Sequence, residues 1–269
     1  MSRRFANHIV WITGGGSGLG REMALRFAEQ GADVAVSGRR VERLQEVVEA
    51  IEATGQRAFP VACDVRDADS VEEAVQQVLG HFGRLDVVVA NAGLSVAGSM
   101  ETLAADEWRL QFETNVIGLM NTVRSSLPAL KETKGRLVLI GSVAGFVSMP
   151  GAGPYHASKF AVRSIGETLS MELHGSGVTC TTIHPGFVSS EIAQVDNKGV
   201  FDPNRRDPRP AKLMWAPDRA SRVMVQAIYR RKRVFVFTGH GHAVVFLGRH
   251  LSGLVHFVIT RAGLGYKRR

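Results

Sequence analysis

Residues 8–20 read HIVWITGGGSGLG, an apolar, β-branched run that stops at Thr13 and passes through glycines straight into a segment of helical period. A short apolar run bounded by glycine has strand character, and the change of period after Gly18 predicts a helix to about residue 30. The turn between them has a chemistry of its own. Phosphates are held by backbone N–H groups at helix N-termini, and Gly14, Gly18 and Gly20, interleaved with Ser17 and Leu19, let the main chain turn tightly and approach such a group closely. Glycines alone are a weak signal; between a first strand and a first helix they predict a dinucleotide-binding turn.

Outward from this turn the same alternation repeats. DVAVSG, RAFPVACDV, LDVVVANAG, RLVLIGS and VTCTTIHPG are continuous apolar runs, separated by segments of helical period at about 41–53, 70–82, 107–130 and 155–174. Strands without polar alternation, separated by helices, belong to a parallel sheet covered on both faces. VFVF at 234–237 adds a seventh strand. The expected fold is therefore α/β, one domain over residues 1–269 built on a doubly wound sheet of about seven strands. Residues 191–214, EIAQVDNKGVFDPNRRDPRPAKLM, break the pattern. A solvated surface loop would have this composition, but the segment leaves the carboxyl end of the sixth strand, where open sheets bind ligands, and so reads as a lid over a substrate.

The chain has 269 residues, 45% of them apolar, enough for a sizeable core and against a disordered segment. MSRRFANHIVWITGGG contains no basic region followed by an apolar one before the first strand, so a cytoplasmic rather than secreted protein is expected. Cys63 and Cys180 lie in apolar strand-like runs and are expected as buried thiols. The histidines form no zinc pattern, and no metal is expected.

Two further stretches carry chemistry. Where a site for an unphosphorylated ribose offers a carboxylate about 20 residues past the glycines, this chain has Gly38, Arg39 and Arg40. Arginine suits a 2′-phosphate, which favours NADP over NAD, although Arg40 also fits a solvated basic turn opening the next helix. YHASK at 155–159 puts Tyr155 and Lys159 one helical turn apart. At ~5 Å and an effective dielectric of ~20 an ammonium would favour the phenolate by about 3 kcal/mol, some two pKa units. The pair would equally fit a surface helix with an incidental contact.

TGGGSGLG, CDV, NAG, an isolated Asn115, Ser142, YHASK and PGFVSS stand in the order and spacing of the short-chain dehydrogenase/reductase family, which the chain resembles over roughly residues 6–190. The resemblance implies a Rossmann-type fold with helices on both faces and an NADP-dependent oxidoreductase acting on a secondary alcohol or ketone. It gives Tyr155 the role of general acid or base, Lys159 that of tuning the tyrosine and holding the nicotinamide ribose, and Ser142 that of binding the substrate oxygen. Asn115 would anchor a water linking Lys159 to solvent. Asp64 and Val65 would border the adenine, and Asn91, Ala92 and Gly93 would run under its ribose, here as ANAG where NNAG is commoner. Pro185, Gly186, Val188 and Ser190 resemble the segment that backs the nicotinamide. A homodimer or homotetramer is implied, built on the helices carrying Asn115 and Tyr155. A binding protein on the same fold, sensing NADP without turnover, is the alternative; a tuned phenol argues against it.

The last acidic residue is Asp218 and eleven Lys or Arg follow it, so of the net +8 charge the first 218 residues carry −3. Basicity belongs to the C-terminal fifth. Residues 240–269 form a basic apolar extension whose segment at about 242–262 is interrupted by Arg249 and His250, short of a spanning helix. It would cover the substrate mouth, pair with another subunit, or lie on an anionic membrane surface. No nucleic-acid motif accompanies the charge, and no nucleic acid is expected as a partner. Covering the mouth or lying on a membrane would each favour an apolar, lipid- or steroid-like substrate; Met149, Pro150, Leu94, Val143 and Phe187 flank the candidate positions and would line an apolar pocket, or serve as core and loop packing.

Overall fold

Seven parallel strands lie in the order β3-β2-β1-β4-β5-β6-β7 in a computed structural model that describes residues 3–262. They are β1 (Ile9–Thr13), β2 (Asp33–Gly38), β3 (Ala58–Ala62), β4 (Val87–Ala90), β5 (Arg136–Ile140), β6 (Thr179–His184) and β7 (Val234–Val236). The order reverses between β1 and β4, which pair in parallel through Val10–Val87 and Trp11–Val88. Such a reversal opens a crevice at the carboxyl ends of the two strands, because their crossovers leave to opposite sides.

Why both faces are apolar follows from the pleat. Val10 and Ile12 of β1 point into one core with Met23, Ala24 and Phe27 of α1 (Gly18–Glu29), Leu44 and Val47 of α2 (Val41–Glu52), and Met224 and Ile228 of α7 (Pro217–Tyr229). Ile9 and Trp11 point into the other, against Val71 and Val75 of α3 (Ala68–Phe82), Leu119 and Val123 of α5 (Gly118–Thr133) and Val162 of α6 (Gly153–Glu172). Helix layers cover both sides of the sheet, so its strands need no polar face.

Several boundaries differ from the periodic reading. α3 begins at Ala68 because the Asp67 side chain accepts from the N–H groups of Asp69 and Ser70, a cap that period alone does not reveal. The helix expected over 107–130 is α4 (Ala105–Phe112), a π-turn over Glu113–Ile117, and then α5. The C-terminal segment is two helices, α8 (Gly239–His250) and α9 (Ser252–Arg261), bent by 110° at Leu251. Among the described residues no single helix is long and apolar enough to cross a membrane. The basic end of the extension, Lys267 to Arg269, lies outside the described residues.

Candidate active site

The crevice at the strand-order reversal is a cleft of about 520 Å³. Its floor is the glycine turn. Gly14 has φ +64°, and a Cβ there would stand 2.9 Å from the Ala92 Cα, while one on Gly20 would stand 2.2 Å from the Gly14 carbonyl oxygen. Only glycine fits either place. Asn91 fixes the turn from the neighbouring strand: its side-chain N–H groups donate to the carbonyls of Thr13 (2.9 Å) and Gly14 (3.1 Å), and the main-chain N–H groups of Asn91 and Ala92 donate to the Thr13 hydroxyl. Ser17 lies just before α1 without capping it, so the first amides of that helix open toward the cleft.

Around this floor stand Ser17, Gly18, Leu19, Arg39, Arg40, Asp64, Val65, Asn91, Ala92 and Gly93 at one end and Ser142, Tyr155, Lys159, Pro185, Gly186, Val188 and Ser190 at the other. All the candidate positions except Asn115 thus line one cleft. The two arginines after β2 are employed differently. Arg40 donates to the Ser17 hydroxyl (3.1 Å) and pairs with Glu191 (3.0 Å), whereas Arg39 is exposed and has no ion pair or side-chain hydrogen bond among the described residues. Asp64 faces the cleft with its carboxylate gripped by the Arg66 guanidinium, which holds it below the usual carboxylate range.

Ser142, at the end of β5, accepts from the Ala144 N–H, and its carbonyl meets Nδ1 of buried His184 at 3.2 Å. Tyr155 and Lys159 project from the first turns of α6, which Pro154 helps to start. Lys159 donates to the Ile140 carbonyl at 2.9 Å. Burial lowers its pKa to about 8, because the charged ammonium loses water. Burial acts on Tyr155 in the opposite sense and raises its pKa, countered by a hydrogen bond with Ser142 and by the charge of Arg209. The depression by Lys159 expected from YHASK is therefore not what dominates here: burial favours the neutral phenol.

Asn115 does not reach the cleft wall. The π-turn places it in the interior, where its carbonyl oxygen accepts from the Leu94 N–H (2.9 Å) and its amide donates to the Leu94 carbonyl (3.0 Å) and the Ser158 hydroxyl (3.2 Å). Gln111, one turn earlier and fully buried, grips Val96, Leu94 and Ser158 in the same way. Together they fix the 94–96 segment and the turn of α6 that bears Tyr155. Gln111 and Ser158 were legible only as ordinary helix residues.

Residues 191–214 cross the cleft. Glu191 holds Arg40 on one side, and on the other Asn197 exchanges hydrogen bonds with Ala97 (3.1 and 2.9 Å) and donates to Glu107 (2.8 Å). Ile192, Val195 and Phe201 supply apolar lining. Of the five residues expected to form an apolar pocket only Leu94 lines the cleft; Phe187 instead stacks on His240. Arg209, not singled out in the sequence, donates to the carbonyls of Val188 and Ser190, each at 3.1 Å, and to Asp207. It thereby brings a guanidinium into the cleft that contains Tyr155.

A family model described as short chain dehydrogenase matches residues 8–200. An uncharacterized oxidoreductase of Myxococcus xanthus is 39% identical over 187 residues, 69% of this chain and 74% of that one. The 3-oxoacyl-[acyl-carrier-protein] reductase FabG of Staphylococcus aureus is 34% identical over 183 residues, covering 67% and 74%. Among solved structures, a short chain dehydrogenase/reductase of Burkholderia phymatum in complex with NAD aligns over 99% of this chain and 98% of its own at 26% identity and a TM-score of 0.82. An alcohol dehydrogenase of Thermococcus sibiricus complexed with 5-hydroxy-NADP aligns over 86% and 94% at 28% identity and a TM-score of 0.74. The chain belongs to the short-chain dehydrogenase/reductase family of nicotinamide-dependent oxidoreductases.

Proposed function

We propose that this protein is an NADP(H)-dependent oxidoreductase that interconverts a secondary alcohol and a ketone of apolar, lipid- or steroid-like character. The convergence of Ser142, Tyr155 and Lys159 with the Gly14–Gly20 turn in one cleft carries this reading. The glycine turn, which has no room for a Cβ at Gly14 or Gly20 and leaves the first amides of α1 open, suits the diphosphate of a dinucleotide, and the unpaired Arg39 suits a 2′-phosphate in a way that Arg40, engaged by Glu191, does not. The nicotinamide cofactor, when bound, supplies or accepts the hydride.

The protein's own residues handle the oxygen and its proton. Ser142 holds the carbonyl oxygen by hydrogen bond as negative charge grows there, and Tyr155 delivers the proton. A phenol whose pKa burial has raised holds that proton at neutral pH, the state needed for reduction. Lys159 orients the ribose side of the site, and Asn115, through Leu94 and Ser158, positions the wall and the helix turn. Residues 191–214 act as a lid whose Ile192, Val195 and Phe201 favour an apolar substrate. The single domain assembles as a homodimer or homotetramer across the helices bearing Asn115 and Tyr155, whose Ile117, Phe160 and Met171 are exposed.

Titration with NADPH and NADH, followed by NADPH oxidation against ketones of graded chain length, tests the reading. Turnover that rises with apolar size is expected. Tight NADPH binding without turnover of any ketone would favour a binding protein instead.

A further inference from the structure

The C-terminal helices present apolar surface that the fold does not use. None of the ten residues of α9 is buried, and Leu254, Phe257 and Val258 are 51%, 54% and 46% exposed. Leu251, at the bend, lies at helical spacing from them, and Phe246 of α8 is 58% exposed. A ten-residue helix is too short to hold its shape in water unaided. Such a helix, bare on its apolar side, is the mark of a surface with an occupant.

Charge identifies the occupant. Arg261 closes α9 with its guanidinium 5.2 Å from the centre of the exposed Phe257 ring, and no Asp or Glu occurs after Asp218. A second copy docked by a two-fold axis on this face would bring arginine against arginine with no carboxylate in the segment to neutralise them. Anionic headgroups above an acyl layer complement both features: apolar side chains enter the boundary and the Arg261 guanidinium stays at the headgroups.

We propose that the α8–α9 pair docks this protein in the plane of an anionic lipid bilayer. Of the two helices, α8 is the one that packs on the fold, and α9 packs on α8. α8 rests on the turn after Ser142, with Gly248 against the Phe146 carbonyl and Arg249 5.0 Å from the centre of the Phe146 ring. The turn after Ser142 thus supports α8 as well as one end of the cleft. The inference goes beyond the oxidoreductase reading, and vesicle binding is measured without turnover.

The experiment is co-sedimentation of the full chain with vesicles of phosphatidylcholine alone or mixed with phosphatidylglycerol, at low and high salt. Retention on the anionic vesicles about tenfold above that on neutral ones, weakened by salt, is expected. Leu254→Glu combined with Phe257→Glu should abolish it with the unfolding temperature unchanged, since neither side chain is buried, and Arg261→Gln should weaken it. Equal retention on neutral vesicles, no retention by the wild type, or full retention by the Leu254→Glu/Phe257→Glu protein would overturn the proposal. If that double variant instead halves the mass in light scattering while the wild type ignores vesicles, the face is a contact between copies of this chain.

Discussion

The Lys159 ammonium donates to the Ile140 carbonyl at 2.9 Å and stands 5.8 Å from the centre of the Tyr155 ring. The lysine is thus fixed to the end of β5 rather than to the phenol. Both side chains sit where burial favours their neutral forms, so one proton-bearing group rises in pKa and the other falls.

That burial has a thermodynamic consequence. A drop of the Lys159 pKa from 10.5 to about 8 corresponds to ~3 kcal/mol against the folded state wherever the lysine is charged. Lys159→Met, which also loses a hydrogen bond of about 1 kcal/mol, should gain about 2 kcal/mol at pH 7. Between pH 8 and 10.5 the unfolded chain binds the extra proton, so wild-type stability should rise with pH there by about 3 kcal/mol and end about 1 kcal/mol above that of the variant, the worth of the retained hydrogen bond. Thermal unfolding across this window measures both, and turnover should fall while stability rises.

His184 predicts acid sensitivity. Burial holds its pKa near 4 against an ordinary 6.5. As pH falls through that interval the unfolded chain takes up a proton that the native one refuses, and about 3 kcal/mol of stability should be lost by pH 4. Urea melts of His184→Asn over the same range should show a flatter dependence.

Arg209 should tune the proton donor. Its charge lowers the Tyr155 pKa, so Arg209→Met should move the alkaline fall of ketone reduction to higher pH. Asp207→Asn, which frees the guanidinium from its partner carboxylate, should move it to lower pH. A pH–rate profile unaffected by either change would confine Arg209 to holding Val188 and Ser190.

Tyr155→Phe should lower turnover by about 10²- to 10⁴-fold with cofactor affinity retained. Stopped-flow reduction and a fluorescence titration separate the two effects.

Arg39→Asp should shift preference from NADPH toward NADH by roughly 10- to 100-fold, the worth of one charge-assisted contact. Arg40→Asp would first break its pair with Glu191, and should disturb both cofactors alike.

What could be read from sequence was what neighbouring residues decide. The strand, glycines and helix at 9–29, the YHASK turn and the acid-free tail depend on spacing within a few residues, and the sheet follows from repeating such units. Pairings set by the fold were not legible. Arg40 meets Glu191 across 151 positions, and nothing local distinguishes it from Arg39. The π-turn at Asn115 adds no change of period that a window of apolar residues would register. Arg209 lies among other arginines, Arg205 and Arg206, and only the folded loop selects it.

Gly248 ties the tail to the site. A Cβ there would stand 2.1 Å from the Phe146 carbonyl oxygen, and one on Gly186 would stand 2.5 Å from Nε2 of His240, which itself accepts the Phe187 N–H. α8 is therefore keyed to the body of the fold and is not a separable appendage. A side chain at Gly248 would push on the turn that follows Ser142, and one at Gly186 would push on His240, so a change at this end of the chain would be felt in the cleft.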